Sequence, residues 1–110
     1  MAYIPTILYP TNTPSTSGST LYTVPASKST IVKNIVLANT TGNESPISIS
    51  VVPSGGSASP SNRILSNYAV PANGIATLDC SIVMPTGTFL VGTNSISGAI
   101  TVTISGVEIG

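Results

Sequence analysis

The chain has 110 residues, with three basic side chains (Lys28, Lys33, Arg63) balancing three acidic ones (Glu44, Asp79, Glu108), no His and one Cys. Charged residues make 5% of it, against about 25% in an ordinary soluble domain, which excludes a nucleic-acid binder that neutralises phosphates with Lys and Arg. A lone Cys80 without His excludes a disulfide framework and a zinc site built within the chain, while 41% apolar residues are too many for a disordered tail.

Residues 1–18 stand apart. Tyr3, Ile4, Ile7, Leu8 and Tyr9 are apolar but interrupted by Pro5 and Pro10, and a polar run from Thr11 to Gly18 follows. Proline removes ladder donors, so the stretch is excluded from the middle of a sheet. It reads either as an extended N-terminal arm, able to reach about 60 Å, or as an edge strand plus linker. Its first ten residues have neither the basic start nor the apolar core of a secretion signal. No apolar run approaches the length of about 18 that crosses a membrane as a helix.

The domain then spans 19–110. Ser19 to Val24 is a short strand stopped by Pro25. Thr30 to Asn39 is the longest, with Ile31, Ile35 and Leu37 on one parity, Lys33 as the exception, and Val32, Val36 and Ala38 on the other. From Pro46 to Val52, Ile47, Ile49 and Val51 alternate inward against outward Ser48 and Ser50. Residues 53–60 are turn-rich, and Arg63 to Val70 is a weaker strand. Pro71-Ala72-Asn73-Gly74 is a turn signal. Ile75 to Met84, Thr88 to Thr93 and a last strand from Ile100 to Ile109 follow, separated by Pro85-Thr86-Gly87 and by 94–98. No apolar stripe of helical period is sustained. The expectation is all-β: a single antiparallel β-sandwich or jelly-roll-like domain of about seven or eight strands.

Few residues carry chemistry. General acid–base catalysis most often uses His, and the three carboxylates fall in separate segments with no spacing that pairs them. Cys80 has no sequence-local cation to lower its pKa and reads as a small core residue. Ser54-Gly55-Gly56-Ser57 lacks the Lys of a phosphate loop. Asn39-Thr40-Thr41 and Asn43-Glu44-Ser45 match the glycosylation triplet by chance in so Thr-rich and Ser-rich a chain. Tyr3, Tyr9, Tyr22 and Tyr68 are scattered, which favours packing over a sugar-stacking platform. The expectation is therefore a non-enzymatic protein with no cofactor and no metal. A surface this poor in charge favours association.

One stretch resembles a known group. Leu21-Tyr22-Thr23-Val24-Pro25-Ala26 followed by Lys28-Ser29-Thr30-Ile31-Val32-Lys33-Asn34-Ile35 is similar to the opening of small tailed-phage virion proteins. The turn at Ala38-Asn39-Thr40-Thr41, the stretch Val52-Pro53-Ser54-Gly55-Gly56-Ser57 and the closing Val102-Thr103-Ile104-Ser105-Gly106-Val107-Glu108 also resemble this group. Ser27 stands where a Gly is expected. The resemblance covers about residues 20–109. It implies a capsid decoration (cement) protein on the virion surface, assembled in the host cytoplasm, with the major capsid protein as partner and a homo-oligomeric state, trimer or dimer. It implies neither nucleic acid nor membrane as partner. A tail, fibre or baseplate accessory protein is the alternative, and a carbohydrate-binding module a further one. On this reading Tyr3, Ile4, Ile7, Leu8 and Tyr9 would lie against the capsid or a neighbouring copy. The competing expectation is that Ile4 to Tyr9 is the first strand of the domain's own sandwich.

Overall fold

A computed structural model describes residues 3–12, 14–96 and 98–110. Among these residues eight strands form: β1 (Tyr3–Asn12), β2 (Ser19–Thr23), β3 (Ser29–Asn39), β4 (Ser45–Val52), β5 (Arg63–Val70), β6 (Ile75–Met84), β7 (Phe89–Asn94) and β8 (Ile100–Ile109). They make two four-stranded antiparallel sheets, one ordered β1-β8-β3-β6 and the other β2-β7-β4-β5. Only β4 to β5 stays within one sheet; every other connection crosses to the opposite sheet. The pairs β1–β8, β2–β7, β3–β6 and β4–β5 are those of one long hairpin rolled over itself, which is jelly-roll topology. The only helical element among the described residues is a single 3-10 turn at Pro60–Asn62.

The core lies between the sheets. Val32, Ile35, Leu37, Ile100, Val102 and Ile104 from the first sheet meet Ile47, Ile49, Val70 and Leu90 from the second, all essentially buried. The alternation on β8 is regular, with Ile100, Val102, Ile104 and Gly106 inward and Thr101, Thr103 and Ser105 only partly covered. β3 departs from its sequence parity. Val32 is buried and Ile31 is not, yet Ile35 and Leu37 are buried again. A register shift between Val32 and Asn34, against both β6 and β8, resets the phase there. A bulge adds one residue without a ladder partner, and exposed Lys33 occupies it.

The described residues among 1–18 are not an arm separate from a domain that begins at 19. From Tyr3 to Asn12 the chain is the edge strand β1, antiparallel to β8, with register shifts after Ile7 and after Tyr9. Pro5 and Pro10 fit because an edge strand has one side with no ladder to donate into. The linker after it is tied down as well: Pro14 is buried, and the carbonyl of Ser15 accepts the Asn94 amide at 3.1 Å.

Three further details refine the sequence reading. Ser48 and Ser50 point away from the core as expected, yet both are buried, and so is Val52 on the same side. The Ser48 hydroxyl accepts the Asn67 amide at 2.9 Å, and the loop at Gly56 lies against Val52. Ser27 has φ of +63°, the left-handed region where Gly is favoured, so the turn from Pro25 to Lys28 keeps the backbone that a Gly there would adopt. Asn39 is buried with its amide fully engaged: Nδ2 donates to Asn43 O and Val70 O, and Oδ1 accepts from Thr41 N and Thr41 Oγ1. Its side chain holds the turn after β3 against the end of β5.

Candidate interaction surface

The registers assemble a row across the outer face of the first sheet. Pro5 pairs with Val107, Val107 with Ile31, and Ile31 with Val83. Directly opposed residues of antiparallel strands share a face, so these four side chains form one apolar line spanning all four strands. Val83 is 68% exposed. In the next row Ile7 pairs with Ser105, Ser105 with Asn34 and Asn34 with Asp79, and Ile7 is 62% exposed. A shallow depression lined by Pro5, Ile7, Lys33, Ser105 and Gly106 joins the two rows.

A solvated antiparallel face ordinarily reads polar outward. In the second sheet one outer row, Thr20, Val91, Ser50 and Arg63, has a single apolar member. The first sheet breaks the pattern, and a contiguous exposed apolar patch marks an interaction site. Its two charges are held by neighbours on the same face. Lys33 Nζ donates to Ser81 Oγ at 2.8 Å, and Asn34 Nδ2 donates to Asp79 Oδ1 at 2.8 Å.

The five residues expected to bind a partner separate. Ile7 and Ile4 are exposed, while Leu8 is buried in the core and is withdrawn from any partner. The Tyr3 and Tyr9 side chains lie outside the described ones. Val83, Ile31 and Val107 were missed, because nothing local in the sequence ties them to Pro5; only the register does.

The candidate chemical groups also separate. Glu44 sits just before β4, Asp79 on the outer face of β6, and Glu108 between the sheets at one end. Among the described residues no three Cys, Asp or Glu side chains gather. Cys80 is partly buried against the core, its Sγ–H donates to Val32 O at 3.4 Å, and burial pushes its thiol pKa up. That is the opposite of activation. Tyr22 and Tyr68 stand on β2 and β5, opposite edges of one sheet, too far apart to stack on one sugar ring.

Tyr22 instead bridges the two sheets. Its hydroxyl donates to Glu108 Oε2 and lies 2.8 Å from Thr30 Oγ1. Burial, then the hydrogen bond to Glu108, pushes its pKa up to about 12 from 10.0. The folded protein therefore holds this proton more tightly than the unfolded chain does. Stability from this group is complete below pH 10 and falls as pH rises from about 10 to about 12, since there the unfolded chain has released the proton. Tyr22→Phe should cost about 1 kcal/mol at neutral pH. The gap between the two proteins should close across that alkaline window, as read from denaturant midpoints at a series of pH values.

Neither the family models nor the curated proteins contain a match to this chain.

Proposed function

We propose that this chain is a structural virion protein of a tailed bacteriophage: a capsid decoration protein that seats the outer face of its first sheet on the shell. The observation that carries the reading is the apolar row Pro5–Val107–Ile31–Val83 with Ile7 beside it. The eight-stranded jelly roll agrees with it, since that architecture recurs in virion proteins, though as fold-level analogy alone it would fit many functions. The sequence resemblance across residues 20–109 points the same way.

The mechanism is mechanical. A face poor in charge loses little on desolvation, and burying it against a joint between shell subunits adds contact that the joint alone lacks. A stable attachment needs about 1,600 Å² of total buried surface. Repeated over a lattice, a modest energy per copy resists outward pressure from packed DNA.

The test is mass spectrometry of purified particles, counting this chain against the major shell protein. A simple lattice ratio supports decoration. A few to a few dozen copies moves the chain to the tail, its fibres or the baseplate, and absence from particles overturns the virion reading. Within the decoration reading, Val83→Asp should leave the fold intact, because Val83 is exposed, and should weaken attachment by tenfold or more, since a carboxylate must then be desolvated, at about 1.4 kcal/mol per tenfold. Unchanged attachment would clear this face of the role.

A further inference from the structure

We infer that the free edge of β6 is a self-association site, on which a second copy of this chain lays its own β6 antiparallel about a twofold axis through Thr77. The first sheet then continues across the axis as β1-β8-β3-β6 followed by the same four strands in reverse. The inference holds whether or not the protein belongs to a virion.

An unpaired edge carries a row of open N–H and C=O groups, and proteins blunt such edges with proline, bulges, charge or shortness. Three of the four edges here are blunted. β1 has Pro5, Pro10 and two register shifts; β2 keeps at most two consecutive residues in unbroken register; β5 has two shifts and begins at Arg63. β6 contains no proline, and from Ile75 to Asp79 its pairing with β3 is unbroken. The turn at 71–74 limits this run on one side and the register shift beyond Asp79 limits it on the other.

The bounds fix the register. Residues facing each other across an antiparallel pair must point to the same side, and the register confined to 75–79 sets Ile75 against Asp79, Ala76 against Leu78 and Thr77 against Thr77. Thr–Thr pairs are favourable. The two Asp79 carboxylates stay about 13 Å apart along the strands, beyond the screening length at physiological salt. Sliding the register to face Asp79 with Asp79 would oppose like charges and run into the irregular part of the strand.

A second observation marks the same segment. A crevice of about 90 Å³ opens between the edges of β5 and β6, lined by Leu37, Leu65, Tyr68, Ala76, Thr77 and Leu78. In the proposed register, Leu78 of the second copy stands beside Ala76 on the core side of the sheet, over the mouth of this crevice. Exposed Tyr68 forms part of its wall. A second copy in this register pairs the edge and covers the crevice with one segment, 75–79, and keeps like charges apart.

The test is sedimentation equilibrium of the native chain over a concentration series, joined to disulfide trapping. The native chain should show a concentration-dependent monomer–dimer mass, and Thr77→Lys, which sets two ammonium groups across the axis at an exposed position, should raise the dissociation constant about fivefold or more. In a Cys80→Ser background, Thr77→Cys should trap a covalent dimer under mild oxidation, since opposed residues sit about 4.5–5.5 Å apart, within disulfide reach. Val83→Cys in the same background should not. A monomer mass at every concentration overturns the inference, as does trapping at position 83 as fast as at 77.

Discussion

Gly106→Ala should give the largest loss of stability of any glycine-to-alanine change in this chain, about 3 kcal/mol or more, enough to leave much of it unfolded. Gly106 lies in β8, a central strand paired on both sides, to β1 at Thr6 and to β3 at Val32. A Cβ there would press into the carbonyl oxygen of Ile31, and would also stand 3.1 Å from Leu8 Cδ1 and from Val32 Cα. Leu8 can rotate; the Ile31 carbonyl and the Val32 backbone cannot move without displacing β3 from its ladder. The position is therefore closed by main chain rather than by a side chain that could yield. Gly42→Ala is the matched control, because a Cβ at Gly42 meets nothing within 4 Å, and it should stay within about 0.5 kcal/mol of the native chain. Chemical denaturation of both variants measures the difference. Equal midpoints would mean that β3 and β8 leave room for a methyl group at Gly106.

What the sequence disclosed and what it hid follow the range of the interactions. The strands from Ser19 onward were legible because alternation is local: Ile47-Ser48-Ile49 shows its faces within three residues. The phase of β3 was not, since the bulge at Lys33 depends on what β6 and β8 offer opposite it. The first 18 residues were ambiguous for a related reason. Pro5 and Pro10 say that the segment is excluded from a sheet centre, but an edge and a free arm satisfy that condition equally, and only pairing with β8 decides between them. Leu8 went with that decision, from a partner contact to the core. The apolar row of the outer face joins residues 5, 31, 83 and 107. The bridge from Tyr22 to Glu108 spans 86 positions. Sites made by register alone leave no trace in composition or spacing.

Asn94 belongs to the same class, and Asn94→Ala should cost about 3 kcal/mol. The residue is fully buried in β7 and opposes Ile47 of β4. Its Nδ2 donates to the carbonyl of Pro14 at 2.8 Å and to that of Ile100 at 3.1 Å. One amide thus fastens the linker after β1 and the start of β8 to the second sheet. Alanine would leave two carbonyls without this donor, at about 1–3 kcal/mol for each that stays buried. Part of that loss is offset, because Asn94 Oδ1 is itself buried without a partner and its removal relieves a desolvation cost. Leucine would fill the volume but supply no donor, so Asn94→Leu should fall in the same range. Ser95→Ala, at the exposed neighbouring position, should change stability by less than about 0.5 kcal/mol. The loss at Asn94 should also have a location: amide hydrogen exchange should quicken first around Ser15, in β1 and at the start of β8, because these segments lose their shared anchor while the β4–β5 hairpin keeps its own ladder. Uniform acceleration across both sheets would instead place Asn94 in the cooperative core, with no special hold on the linker.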